Sequence, residues 1–86
     1  MIIQYGKRYR ITANVNPACY AVVIVLNNTN KQGFYNNFVY NIYDCRIVET
    51  NWMGLSVGTT EPFGTHHNWV ALDEDIYDRL ATLLGH

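Results

Sequence analysis

Cys19-Tyr20-Ala21-Val22-Val23-Ile24-Val25-Leu26 is the stretch that sets the fold class. Four β-branched residues in succession, 22 to 25, lose side-chain freedom in a helix and fit a pleated strand. Apolar along its whole length, the stretch reads as a central strand covered on both faces. Upstream, Tyr9, Ile11 and Ala13 alternate with Arg8, Arg10 and Thr12, the pattern of a half-buried strand over residues 5–13. Asn14-Val15-Asn16-Pro17 ends it, since proline lacks an N–H and asparagine favours turns. Downstream, residues 27–37 hold five asparagines with Lys31, Gln32 and Gly33, and read as a polar loop with Phe34 and Tyr35 at its tip.

Beyond that loop, residues 38–48 read as one long strand, or as two split near Asp44 and Cys45. Thr50-Asn51 marks a turn. Residues 52–57 form a further strand, with Gly54 a candidate bulge. Residues 58–68, interrupted by Pro62 and Gly64, read as a second loop, and 69–72 as a short closing strand. The spacing predicts one helix, over 74–84: Asp73 caps it, and Ile76, Leu80, Leu83 and Leu84 share a face. Consecutive strands without crossover helices make an antiparallel sheet. The expected fold is mainly β, an SH3-like small antiparallel barrel with the C-terminal helix across one open end. An α+β open antiparallel sheet carrying that helix on one face is the alternative.

At 86 residues the chain is expected to be a single domain, 1–86, with one modest core. Charged residues make up only 15%, which argues against a disordered solvating segment. No apolar run approaches the ~20 residues of a membrane span, so no membrane association is expected. No charged-then-apolar leader opens the sequence, and two cysteines do not make a disulfide scaffold; a cytoplasmic location with free thiols is the expectation. The charges are segregated. Lys7, Arg8, Arg10 and Lys31 stand in the first half with no acid, while the second half sets Arg46 and Arg79 against seven acids. Such a dipole steers partners and favours self-association.

Catalytic chemistry finds little purchase. His66 and His67 are adjacent and would point to opposite faces of a strand, and Cys19 and Cys45 share no metal-ligand spacing with them. No nucleophile elbow, phosphate loop or dinucleotide fingerprint occurs, so neither an enzyme nor a cofactor is expected. The aromatic load is the unusual feature: seven Tyr, three Phe and two Trp make up 14% of the chain. A small core cannot hide all twelve, and Tyr and Trp concentrate in interfaces. Phe34 and Tyr35 are placed as the centre of a partner-binding surface, with Lys31, Lys7, Arg8 and Arg10 as its positive rim for an acidic partner.

A β-rich unit of this size, rich in Asn and Tyr and opening its first strand with Gly6-Lys7-Arg8-Tyr9, resembles small phage-encoded accessory proteins, including those that inhibit host or defence machinery by binding. The resemblance implies a stoichiometric, non-enzymatic binder of a macromolecular partner, with a protein as the leading expectation. A small-ligand or nucleotide-binding oligomer is the first alternative, and a nucleic-acid-binding barrel the second. The second rests on Lys7, Arg8 and Arg10 beside Tyr5 and Tyr9, and the pI of about 6.2 weighs against it. A two-fold homodimer is expected from the edges and aromatics left to cover.

Overall fold

The computed structural model describes residues 2–72. Five strands follow one another: β1 (Arg8–Thr12), β2 (Tyr20–Tyr35), β3 (Phe38–Thr50), β4 (Thr60–Gly64) and β5 (Asn68–Ala71). They form one antiparallel sheet in the order β4-β3-β2-β1-β5, a meander whose last strand returns to pair with the first. Among the described residues there is no helix, and no ladder joins β4 to β5, so the sheet is not closed into a barrel. The two edges still approach where Trp69 Nε1 donates to the Gly64 carbonyl at 2.9 Å. The helix expected over 74–84 lies outside the described residues.

The core sits on one face. Tyr9 and Ile11 from β1, Ala21, Val23 and Val25 from β2, and Cys45 and Ile47 from β3 are buried, joined by Phe63 of β4 and Trp69 of β5. The alternation in β1 therefore reads as expected. In β2 the expectation of two covered faces fails: Tyr20, Val22 and Ile24 are half-buried and Leu26 is exposed. Their β-branched run reflects fit to a twisted pleat rather than a second covering layer. Ile3, Tyr43, Trp52 and Leu55 pack against the core from its margins.

Three further expectations are corrected. Residues 27–35 are strand, not loop, and β2 turns into β3 through Asn36 and Asn37 alone. Both asparagines have positive φ, 48° and 67°, as a two-residue type I′ hairpin turn requires. Residues 52–57 are not a strand but two tight turns. Leu55 N–H donates to Trp52 O and Thr59 N–H to Ser56 O, with Gly54 and Gly58 at positive φ in the third position of each. Residues 60–64 are not loop but β4, which tolerates Pro62 because, among the described residues, it is an edge strand with β3 as its only ladder partner. β3 itself runs unbroken through Asp44 and Cys45.

Candidate protein-interaction surface

β2 outruns its neighbour β1, whose pairing stops at Ile24. β3 likewise extends past β4, whose pairing stops at Ile42. Residues 28–35 and 38–41 are therefore left as a two-stranded arm projecting beyond the core. Its ladder pairs Gln32 with Asn41, Gly33 with Tyr40, Phe34 with Val39 and Tyr35 with Phe38. Cross-strand partners share a face. One face of the arm thus carries Phe34 and Val39, the other Tyr35, Phe38 and Tyr40.

The arm interrupts its own free edge. A register shift lies between Asn28 and Gln32, where Asn30 takes a positive φ of 61°. Local side-chain bonds fix the bulge: Asn30 N–H donates to Asn28 Oδ1 at 2.8 Å, Lys31 N–H to Thr29 Oγ1 at 3.1 Å, and Thr29 Oγ1 donates across to Ile42 O at 2.8 Å. A bulge flanked by a lysine is a standard way to keep an edge from recruiting another strand. The tip of the arm presents its side chains to solvent. There Phe34 is 77% exposed, Phe38 74% and Val39 52%.

The tyrosine face is anchored to the body of the sheet. The Tyr40 ring crosses Gly33, where any Cβ would overlap it, and stacks on His66 at 4.0 Å between centroids. Tyr35 lies 5.4 Å from His66 and is the least exposed large apolar residue of the tip. Tyr35 is thus partly a structural residue, whereas Phe34, on the other face of the arm, is largely exposed.

The six residues expected to form one surface separate into two groups. Phe34, Tyr35 and Lys31 stand on the arm. Arg8 and Arg10 project from β1 on the face opposite Tyr9 and Ile11, with Lys7 half-buried just before them. Arg8 pairs with Ile24, ten residues before Phe34 along β2, which places the basic group roughly 25–30 Å from the tip. Lys7, Arg8 and Arg10 therefore do not rim the aromatic tip. Arg8 shares a cross-strand row with Ile24 and with Arg46 of β3, and Arg10 lies on the same face of β1. Arg10 sits over the Tyr20 ring at 4.4 Å, and the Tyr20 hydroxyl donates to Glu49 at 2.7 Å, which raises the tyrosine pKa. Phe38, Val39 and Arg46 are the members that sequence reasoning missed. Reading Asn36-Asn37 as a type I′ turn would have paired Phe34 with Val39 and found the first two.

A cavity of about 280 Å³ lies at the base of the arm, lined by Ile3, Asn41, Tyr43, Thr65 and Trp69. None of these lining residues is a cation. No group of three or more potential metal ligands gathers among the described residues. Cys19 and Cys45 are free thiols. Burial, with Asp44 adding to it, pushes the Cys45 thiol up to about 12, which leaves it protonated and unreactive. No helix among the described residues is long and apolar enough to cross a membrane.

No protein-family model, curated protein or solved structure matches the chain.

Proposed function

We propose that this protein is a small non-enzymatic binder that acts stoichiometrically on a protein partner, engaging it with the tip of the β2–β3 arm. One observation carries the reading: Phe34, Phe38 and Val39 are large, apolar and mostly exposed at the end of an arm that adds nothing to the core. Folding gains little from them there, and clustered exposed apolar side chains mark contact surfaces. Lys31 on the same arm supplies a positive charge beside them, suited to an acidic rim on the partner. The phage-type inhibitor of a host or defence protein suggested by size and composition is the setting this surface fits. In that reading the sheet is an SH3-like barrel left open between β4 and β5.

The test is affinity capture from host lysate with the wild-type chain and with a Phe34→Ala/Phe38→Ala variant, both shown to be folded by circular dichroism. A partner held by the wild type and lost by the variant supports the arm. Equal retention by both overturns it.

A second reading, contact with a nucleic acid, is favoured by the row Arg8–Ile24–Arg46 with Arg10 beside it. Among the described residues none of these arginines is bridged to a carboxylate. Phosphate contacts would make that binding fall steeply with salt, whereas the aromatic tip would not. For a nucleotide, the cavity under the arm offers no cation to meet a phosphate. Two-fold self-association through the apolar tips remains part of the proposal, and sedimentation at tens of micromolar distinguishes a dimer from a 9.9 kDa monomer.

A further inference from the structure

The turn from Gly64 to His67 joins β4 to β5 and touches three other parts of the molecule. It holds the base of the arm, where Thr65 N–H donates to Asn41 O at 2.9 Å and Asn41 N–H to Thr65 Oγ1 at 3.1 Å. Through the His66 ring it meets Tyr40 and Tyr35 on the arm itself. Through His67 it holds the β1–β2 connection, since Nδ1 accepts the Asn14 N–H at 3.2 Å. His67 also packs edge-on against Trp52 at 5.3 Å, and the two imidazoles lie 4.0 Å apart.

This arrangement needs a neutral His67. An imidazole whose Nδ1 accepts a hydrogen bond carries its proton on Nε2; an imidazolium has two donors and no acceptor. Protonation would set His67 Nδ1–H against the Asn14 N–H and place a charge beside His66. The described groups packed around the pair offer no compensation. Asn14 comes from the β1–β2 connection, Tyr35 and Tyr40 from the arm, and Trp52 from the turn after β3. Among the described residues no carboxylate contributes at either ring. His66 differs from His67, because a charged His66 would still gain from the Tyr40 face.

We propose that His67, with His66 beside it, is an acid-sensitive latch that fixes the arm on the sheet, and that protonating His67 frees the Gly64–His67 turn and unstacks Tyr35 and Tyr40 from His66. Burial, and then His66, holds the His67 pKa down at about 4, and burial alone lowers that of His66, so the latch is closed at neutral pH. Acid then loosens the arm while leaving the core below it packed. The consequence for partner binding rests on the arm being the binding element; the latch itself does not.

The experiment is an NMR titration of the full chain from pH 7.5 to 3, without any partner. It follows the imidazole protons of His66 and His67, the rings of Tyr35 and Tyr40, and the methyls of Ile11, Val23 and Ile47. The expected result is that His67 titrates well below a free histidine. The Tyr35 and Tyr40 signals should move with His67 while the core methyls stay in place. In His67→Asn, whose Oδ1 can take the Asn14 N–H without titrating, the arm signals should no longer respond. His66→Phe, which keeps a ring against Tyr35 and Tyr40 but removes the neighbouring charge, should raise the His67 midpoint and carry the arm transition with it. The latch is overturned if His67 titrates without the arm, if the arm responds equally in His67→Asn, or if the core methyls shift together with the arm. Should His67→Asn fail to fold, His66→Phe decides alone: an arm transition that does not follow the His67 midpoint rejects the latch.

Discussion

Phe34 and Ile47 are both large apolar strand residues, and truncating them should have opposite consequences. Ile47 is fully buried beside Val23, so Ile47→Ala removes packed methyl groups and should cost about 2–5 kcal/mol of stability. Phe34 is 77% exposed, so Phe34→Ala should change stability by less than about 1 kcal/mol. If the tip is a hot spot, the same change should remove about 2 kcal/mol or more of partner affinity. Thermal melts and a binding isotherm separate the two residues; a Phe34→Ala variant that melts like Ile47→Ala would move that ring into the core. The cysteines differ in the same way. Cys19 is half-buried at the start of the apolar run, whereas Cys45 is fully buried with its thiol held protonated. Brief alkylation of the native protein should therefore add one group, at Cys19, and a second only after denaturation. Mass spectrometry of the intact chain reads this directly, and rapid double labelling of the native state would contradict the packing around Cys45.

Elements were legible in the sequence where burial imposed a period. Tyr9 and Ile11 alternate with arginines because one face of β1 meets the core and the other meets water. Val23, Val25, Cys45 and Ile47 likewise mark the inner face of the two central strands. The arm follows no such rule. Residues 28–35 are held by ladder bonds, a bulge and a type I′ turn, and a strand with no core beneath it has no reason to alternate. Its asparagines, which read as loop, instead serve the positive-φ positions 30, 36 and 37. β4 was hidden by Pro62, whose cost disappears at an edge. Trp52 to Val57 misled in the other direction, since its apolar residues alternate by chance around two glycine turns. Of the candidate surface, Phe34 and its exposure were readable; its separation from Arg8 and Arg10 was not, because it depends on how far β2 outruns β1. The arm also supplies an element-scale prediction. Tyr40 occupies the space above Gly33, so Gly33→Ala should push the ring off His66 and cost about 1–3 kcal/mol, as overpacking does. Tyr40→Leu in the Gly33→Ala background should recover part of that loss in a thermal melt; no recovery would mean the clash lies elsewhere.

For the whole molecule, shape and stability are decoupled. The described residues span 49 × 26 × 21 Å, yet the buried cluster occupies only the overlap of the five strands. A core this small leaves stability sensitive to any group that folding prevents from ionising. His67 is such a group. Its pKa in the folded protein is lowered to about 4 from an unfolded value of 6.5, by burial and then by His66. Between those values the unfolded chain binds more protons than the folded one, so stability rises with pH across the window. The contribution is fully present above about pH 6.5 and is lost as pH falls toward 4. The shift alone would correspond to about 3 kcal/mol. The ring is only half-buried and solvent screens it, so a loss of about 1–2 kcal/mol is the better expectation. His66, lowered by burial, acts in the same direction. On a domain of this size that loss is worth several degrees of Tm. Carboxylates titrate at the lower end of the same range, so the comparison that isolates the histidine is the Tm difference between pH 7 and pH 5. Wild type should lose several degrees over that interval and His67→Asn should lose clearly less. Equal losses would place the acid sensitivity on other groups, and a smaller loss in the wild type would reverse the sign argued for His67.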